Sequence, residues 1–156
     1  MERKTTVSAD DGRQELYITR AFDLPVELLF KAFEVPEIVE QWMGTKVLKM
    51  ESRKHGSYQI ETPDHTGKVA FRAHGVFHEF IPARKIIRTF EMEGAPFGVQ
   101  LEFLEFESLS DSTSKLIMQI VYKSIDQRNQ MLQLPFAQGL NMAHNRLQDI
   151  LGKQAK

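Results

Sequence analysis

Two charged residues, Arg88 and Glu102, stand inside stretches that otherwise alternate as strands do. A hairpin of 84–92 with 99–107, turning near residue 95, sets Arg88 opposite Glu102. It also sets Phe90 opposite Gln100 and Ile86 opposite Leu104. The next hairpin is expected to bring Met118 beside Glu102. The last strand shows Leu116, Met118, Ile120 and Tyr122 on one face and Ile117, Gln119, Val121 and Lys123 on the other. The first face is the more apolar, so it should point inward, and register carries Arg88 and Glu102 with it. An inward Arg–Glu pair is costly to desolvate unless well bonded. In an apolar pocket it would anchor the polar end of a ligand, and Arg88→Ala would weaken binding of an acidic or carbonyl-bearing molecule. A single bulge reverses this reading and puts both charges outside. Val99, Leu101 and Phe103, on the opposite face of their strand, support that alternative.

Around this pair, Trp42, Tyr58, Phe71, Phe77, Phe90, Tyr122 and Phe136, with Met118 and Met142, are candidates for a pocket lining. For any single one of them plain core is the better explanation, since most large apolar residues are simply buried, although methionine suits an adaptable lining. Other chemistry finds little support. The chain has no cysteine, which removes disulfides, thiol catalysis and thiolate metal sites. His74 and His78 share a strand face but lie about 13 Å apart, too far to hold one ion. No metal-binding helix motif, calcium loop or phosphate-binding glycine loop is present. No G-x-S-x-G elbow exists, and the serines of 108–114 read as a solvated turn. Glu34, Glu37 and Glu40 read as a solvated helix face. No catalytic residue, metal or cofactor is assigned.

The totals narrow the partners. The formal net charge is −1, without the basic excess that marks nucleic-acid or membrane-surface binders. No run approaches the length of a membrane span. The polar start MERKTTVSADDGRQ lacks an apolar signal region, so a cytoplasmic protein is expected.

The elements that must position these residues follow from periodicity. Residues 1–13 read as a flexible arm, and 14–152 as one domain. Leu16 to Phe22 alternate as a strand. Asp23 and Pro25 open a short helix bearing Val26, Leu29, Phe30 and Phe33. Pro36 opens a second short helix, which Gly44 stops. Strands are expected near 46–53, 57–62, 68–81, 84–92, 99–107 and 115–123. Ser124 to Gln127 form a capping box, so a long helix starts there and runs to Gly152 with a kink at Pro135. One helix cannot cover a strongly twisted sheet, so a hollow between the two is expected.

That order, with the segments ITRAFDLPVELLFKAFEVPEIVEQWMG, HGVFHEFIPARKIIRTFEMEG and RNQMLQLPFAQGLNMAHNRLQDIL, resembles the START-like relatives of the activator of the Hsp-90 ATPase. The resemblance implies an α+β helix-grip fold. A curved antiparallel sheet of six to seven strands would wrap on a long C-terminal helix, with two short helices after the first strand. It also implies a deep internal cavity but no catalytic set, since the wider superfamily holds lipid carriers, hormone receptors and cyclases. The eukaryotic co-chaperone carries a separate chaperone-binding domain, for which this chain is expected to have no room. Locally, Gly139-Leu140 and His74-Gly75 depart from the common pattern of the relatives. The leading expectation is binding of a small, mainly hydrophobic molecule. The alternatives are a cyclase/aromatase-like or hydrolase-like enzyme and a chaperone-interacting module. Apolar residues on both sheet faces leave a homodimer open.

Overall fold

The computed structural model describes residues 3–154. The chain order is β1 (Thr6–Ser8), β2 (Glu15–Phe22), α1 (Val26–Glu34), α2 (Pro36–Met43), β3 (Lys46–Met50), β4 (Ser57–Pro63), β5 (Val69–Ile81), β6 (Lys85–Met92), β7 (Val99–Ser108), β8 (Ser114–Val121), α3 (Ile125–Gln133) and α4 (Phe136–Gln154). The strands form one sheet in the order β1-β2-β8-β7-β6-β5-β4-β3. Every pairing is antiparallel. This is the helix-grip, START-like architecture. No helix is long and apolar enough to cross a membrane among the described residues.

Among the described residues the sheet has eight strands rather than six or seven. The extra one is β1, from the stretch expected as an arm, of which residues 1 and 2 lie outside the described part. Three residues are too few to show alternation. Tertiary contacts hold the segment: Thr6 pairs with Thr19, and the Thr5 N–H donates to Asn141 Oδ1 at 2.9 Å.

Alternation sets the inner face. In β8 every second residue from Ser114 to Ile120 is buried, and β2 buries Leu16, Ile18, Arg20 and Phe22. The helix α1 buries Leu29, Phe30 and Phe33 against one end of this face. Phe30 stacks edge-on to Phe80 and Phe106 at 5.4 and 4.9 Å, and Phe33 meets Phe106 at 5.3 Å. A fully buried side chain of this kind contributes about 2–3 kcal/mol. Pro25, not Asp23, caps α1, and no side chain bonds there. Gly44 ends α2 in the left-handed region at φ 64°, which glycine tolerates without strain.

The C-terminal helix is two helices. Pro135 cannot donate its share of the helical bonds, and its ring pushes Leu134 into extended backbone, φ −79° and ψ 160°. The chain therefore breaks rather than kinks, and α4 restarts at Phe136. At the start of α3, Ser124 Oγ accepts from the Gln127 N–H at 3.1 Å. Only that half of the capping box forms, since Gln127 Oε1 is buried without a partner. Ser124→Ala should therefore lower stability by about 1 kcal/mol, read from the urea midpoint.

Candidate functional site

A cavity of about 520 Å³ lies between the sheet and the helices α2, α3 and α4. Other depressions, near Asp23 and Lys153 and near Asp11 and Glu15, are lined mainly by polar side chains of the surface. The cavity exists because α1 covers only the Phe77–Phe106 end of the sheet. Beyond that end, α4 borders the gap with small residues, Gly139 and Ala143.

The hairpin of β6 and β7 forms as expected: Arg88 pairs with Glu102, Phe90 with Gln100 and Ile86 with Leu104. The bulge in β5, between Phe77 and Glu79, does not reach β7, so parity on the inner face is kept. Arg88 Nε donates to Glu102 Oε1 at 2.7 Å, and both residues line the cavity. Gln100 Nε2 donates to Glu102 Oε2 at 2.7 Å. Glu102 is only 4% exposed, so its carboxylate depends on these two donors. Burial alone would lower the Arg88 pKa, but the adjacent Glu102 and Tyr58 outweigh it and hold the guanidinium above its usual value.

Tyr58 supports Arg88 from behind. The guanidinium carbon stands 5.7 Å from the Tyr58 ring centroid, and the phenol donates to the Thr89 carbonyl at 2.5 Å. The phenol reaches β6 only by crossing β5 at Gly75, its register partner. A Cβ at Gly75 would lie 1.9 Å from Thr89 O and 2.7 Å from the Tyr58 hydroxyl. Glycine is needed here for close approach.

Tyr122 closes the same pole. It is buried, it lines the cavity, and its hydroxyl has no partner among the described residues. Burial pushes its pKa upward, and the Glu102 charge pushes the same way, so it stays a protonated donor.

His144 lines the helix side. Its Nδ1 lies 2.7 Å from Thr5 Oγ1, and its ring meets Phe22 at 5.7 Å and Trp42 at 6.0 Å. Burial, helped by Arg20, lowers its pKa from 6.5 to about 3. The folded protein therefore holds His144 neutral while the unfolded chain protonates it below pH 6.5. Its contribution is whole above that pH and erodes toward about pH 3, by about 1.4 kcal/mol per unit. Urea midpoints between pH 7 and 5 should fall in the wild type and fall less in His144→Gln.

Eight of the eleven candidates reach the cavity: Trp42, Phe71, Arg88, Phe90, Glu102, Met118, Tyr122 and Phe136. Three do not. Tyr58 lies behind Arg88. Phe77 is fully buried in the core against Tyr58 and Phe80, under the end that α1 covers. Met142 is 54% exposed, because α4 turns His144, Leu147 and Leu151 inward. Met118 faces Leu104, and Ile120 stands opposite Glu102. That is a two-residue offset from expectation, which keeps the face. Trp42 both lines the cavity and anchors its helix, donating from Nε1 to the Ala32 carbonyl at 2.7 Å. Sequence reasoning missed Gln100, His144 and Arg146 as lining residues. Gln100 shares parity with Glu102, and His144 falls in the apolar stripe of α4, so both carried a signal. Arg146 carried none; its Nε donates to the Trp42 carbonyl at 3.1 Å.

The sheet, the two short helices and the C-terminal helices packed against them define a protein of the START-like class. Residues 23–152 match the model of the activator of Hsp90 ATPase homologue 1-like family, and the chain belongs to that family. Solved structures share the fold at low identity. A Rhodobacter sphaeroides protein is 17% identical with a TM-score of 0.86, over 96% of this chain and 99% of its own. One from Arthrobacter aurescens is 18% identical with a TM-score of 0.85, over 95% and 91%. An HSP90 activator from Plasmodium falciparum is 19% identical with a TM-score of 0.66, over 89% and 96%. No curated protein matches the chain.

Proposed function

We propose that the protein binds a small, mainly hydrophobic molecule in the cavity, with the ligand's polar end at the Arg88–Glu102 pair. One observation carries this reading: an apolar chamber of about 520 Å³ contains a desolvated, hydrogen-bonded ion pair. Apolar walls with a few convergent polar groups are the usual layout of a ligand site. Native mass spectrometry of the freshly purified protein should show a bound small molecule that denaturation releases intact. Naphthalene, added to the emptied protein, should change Trp42 fluorescence. Gly139→Leu should abolish that change, since Gly139 lines the cavity and a Cβ there meets no atom within 4 Å. A folded Gly139→Leu variant that responds like the wild type would sink the proposal.

A second reading, a chaperone-interacting module, is supported by the family's description and by the likeness to the Plasmodium falciparum HSP90 activator. It predicts stimulation of a purified Hsp90 ATPase that Gly139→Leu leaves intact. No stimulation at high concentration would end it.

A further inference from the structure

We infer that the polar end of the ligand is a neutral hydrogen-bond acceptor, a ketone, ester or amide carbonyl, rather than a carboxylate. The inference rests on the cavity-binding reading and sharpens it. Glu102 has both oxygens engaged, Oε1 by Arg88 Nε and Oε2 by Gln100 Nε2, each at 2.7 Å. The side-chain bonding of Arg88 runs through Nε alone, so both Nη groups lack a protein partner among the described residues. The Tyr122 hydroxyl is also unpartnered and buried. The open groups at this pole are therefore donors: the Arg88 Nη groups remain reachable from the cavity, and the Tyr122 hydroxyl is buried and unmet, a cost that an acceptor placed there removes.

Charge then separates the classes of acceptor. Arg88 is already balanced by Glu102. A carboxylate ligand would place a second negative charge beside Glu102 where little water screens it. It would also lose its own hydration without gaining a free cation. A carbonyl oxygen accepts from Tyr122 and the Arg88 Nη groups with no net charge. An ammonium ligand fares worst, since it meets the outward donors of Arg88.

The test uses one skeleton with three ends: naphthalene, 2-acetylnaphthalene and 2-naphthoate, titrated into the ligand-free protein by calorimetry or Trp42 fluorescence. The ketone should bind about tenfold tighter than naphthalene, and the naphthoate no tighter than naphthalene. Tyr122→Phe should reduce ketone affinity by about fivefold or more and naphthalene affinity by much less. That variant removes an unpartnered hydroxyl, so it should fold at least as well as the wild type. Glu102→Gln should raise naphthoate affinity by releasing the Arg88 charge. Naphthoate binding as tightly as the ketone, or a Tyr122→Phe variant that keeps the full ketone preference, would overturn this inference and leave the cavity reading standing. Failure of all three probes, naphthalene included, would overturn both.

Discussion

Arg88→Ala should destabilise the protein by about 3–5 kcal/mol, the cost of leaving a buried charge without its partner. The lost donor is the Nε that holds Glu102 Oε1 at 2.7 Å, and Gln100 alone would remain on a carboxylate that is almost fully buried. The urea midpoint reads this directly. The double variant Arg88→Met/Glu102→Leu should behave differently. Removing both charges also removes both desolvation costs, so its stability should equal or exceed the wild type by about 1–4 kcal/mol. It should still take up naphthalene and lose the preference for the ketone. The pair would then cost stability and serve recognition. A loss below about 1 kcal/mol in Arg88→Ala would mean that water reaches the pair as it does an exposed one.

Gly75→Ala should cost about 3 kcal/mol or more, unusually high for one added methyl. The new Cβ meets a backbone carbonyl, Thr89 O, at 1.9 Å, and the Tyr58 hydroxyl at 2.7 Å. The side-chain contact can relax and the backbone contact cannot without parting β5 from β6. Tyr58→Phe separates the two effects, since it removes only the hydrogen bond to Thr89 and should cost about 1 kcal/mol. The double variant Gly75→Ala/Tyr58→Ala should remain far less stable than the wild type, because the Thr89 clash persists. If Gly75→Ala folds with wild-type stability, β5 and β6 are further apart at this point than the structure places them.

The alternation of 115–123 carried the inward placement of Met118 and, through register, of Glu102, against the pattern of Val99, Leu101 and Phe103, because a buried sheet face repeats every two residues along the strand. The same periodicity missed the offset of Met118 from Glu102. A two-residue slip leaves every side chain on its own face and so leaves no trace in the pattern. Glycine at 75 was visible as a residue type only. That it lets a phenol cross from β4 to β6 depends on three strands at once. Met142 was misplaced because helical spacing defines a stripe only to within about one residue, and the partner surface decides its edges.

The sequence by itself determined the order of most elements and the family, which rest on short-range spacing and local motifs, while the inner parity of β6 and β7 was one of two readings it allowed. It also determined that thiol chemistry is unavailable, since no cysteine is present. Only the tertiary structure decided the rest: the break at Leu134–Pro135, the added strand at Thr6–Ser8, and the division of the inner face into a packed end under α1 and an open end under α4. These depend on how elements distant in the chain meet. A one-dimensional pattern records which residues avoid water, and packing decides whether protein or an empty space takes its place.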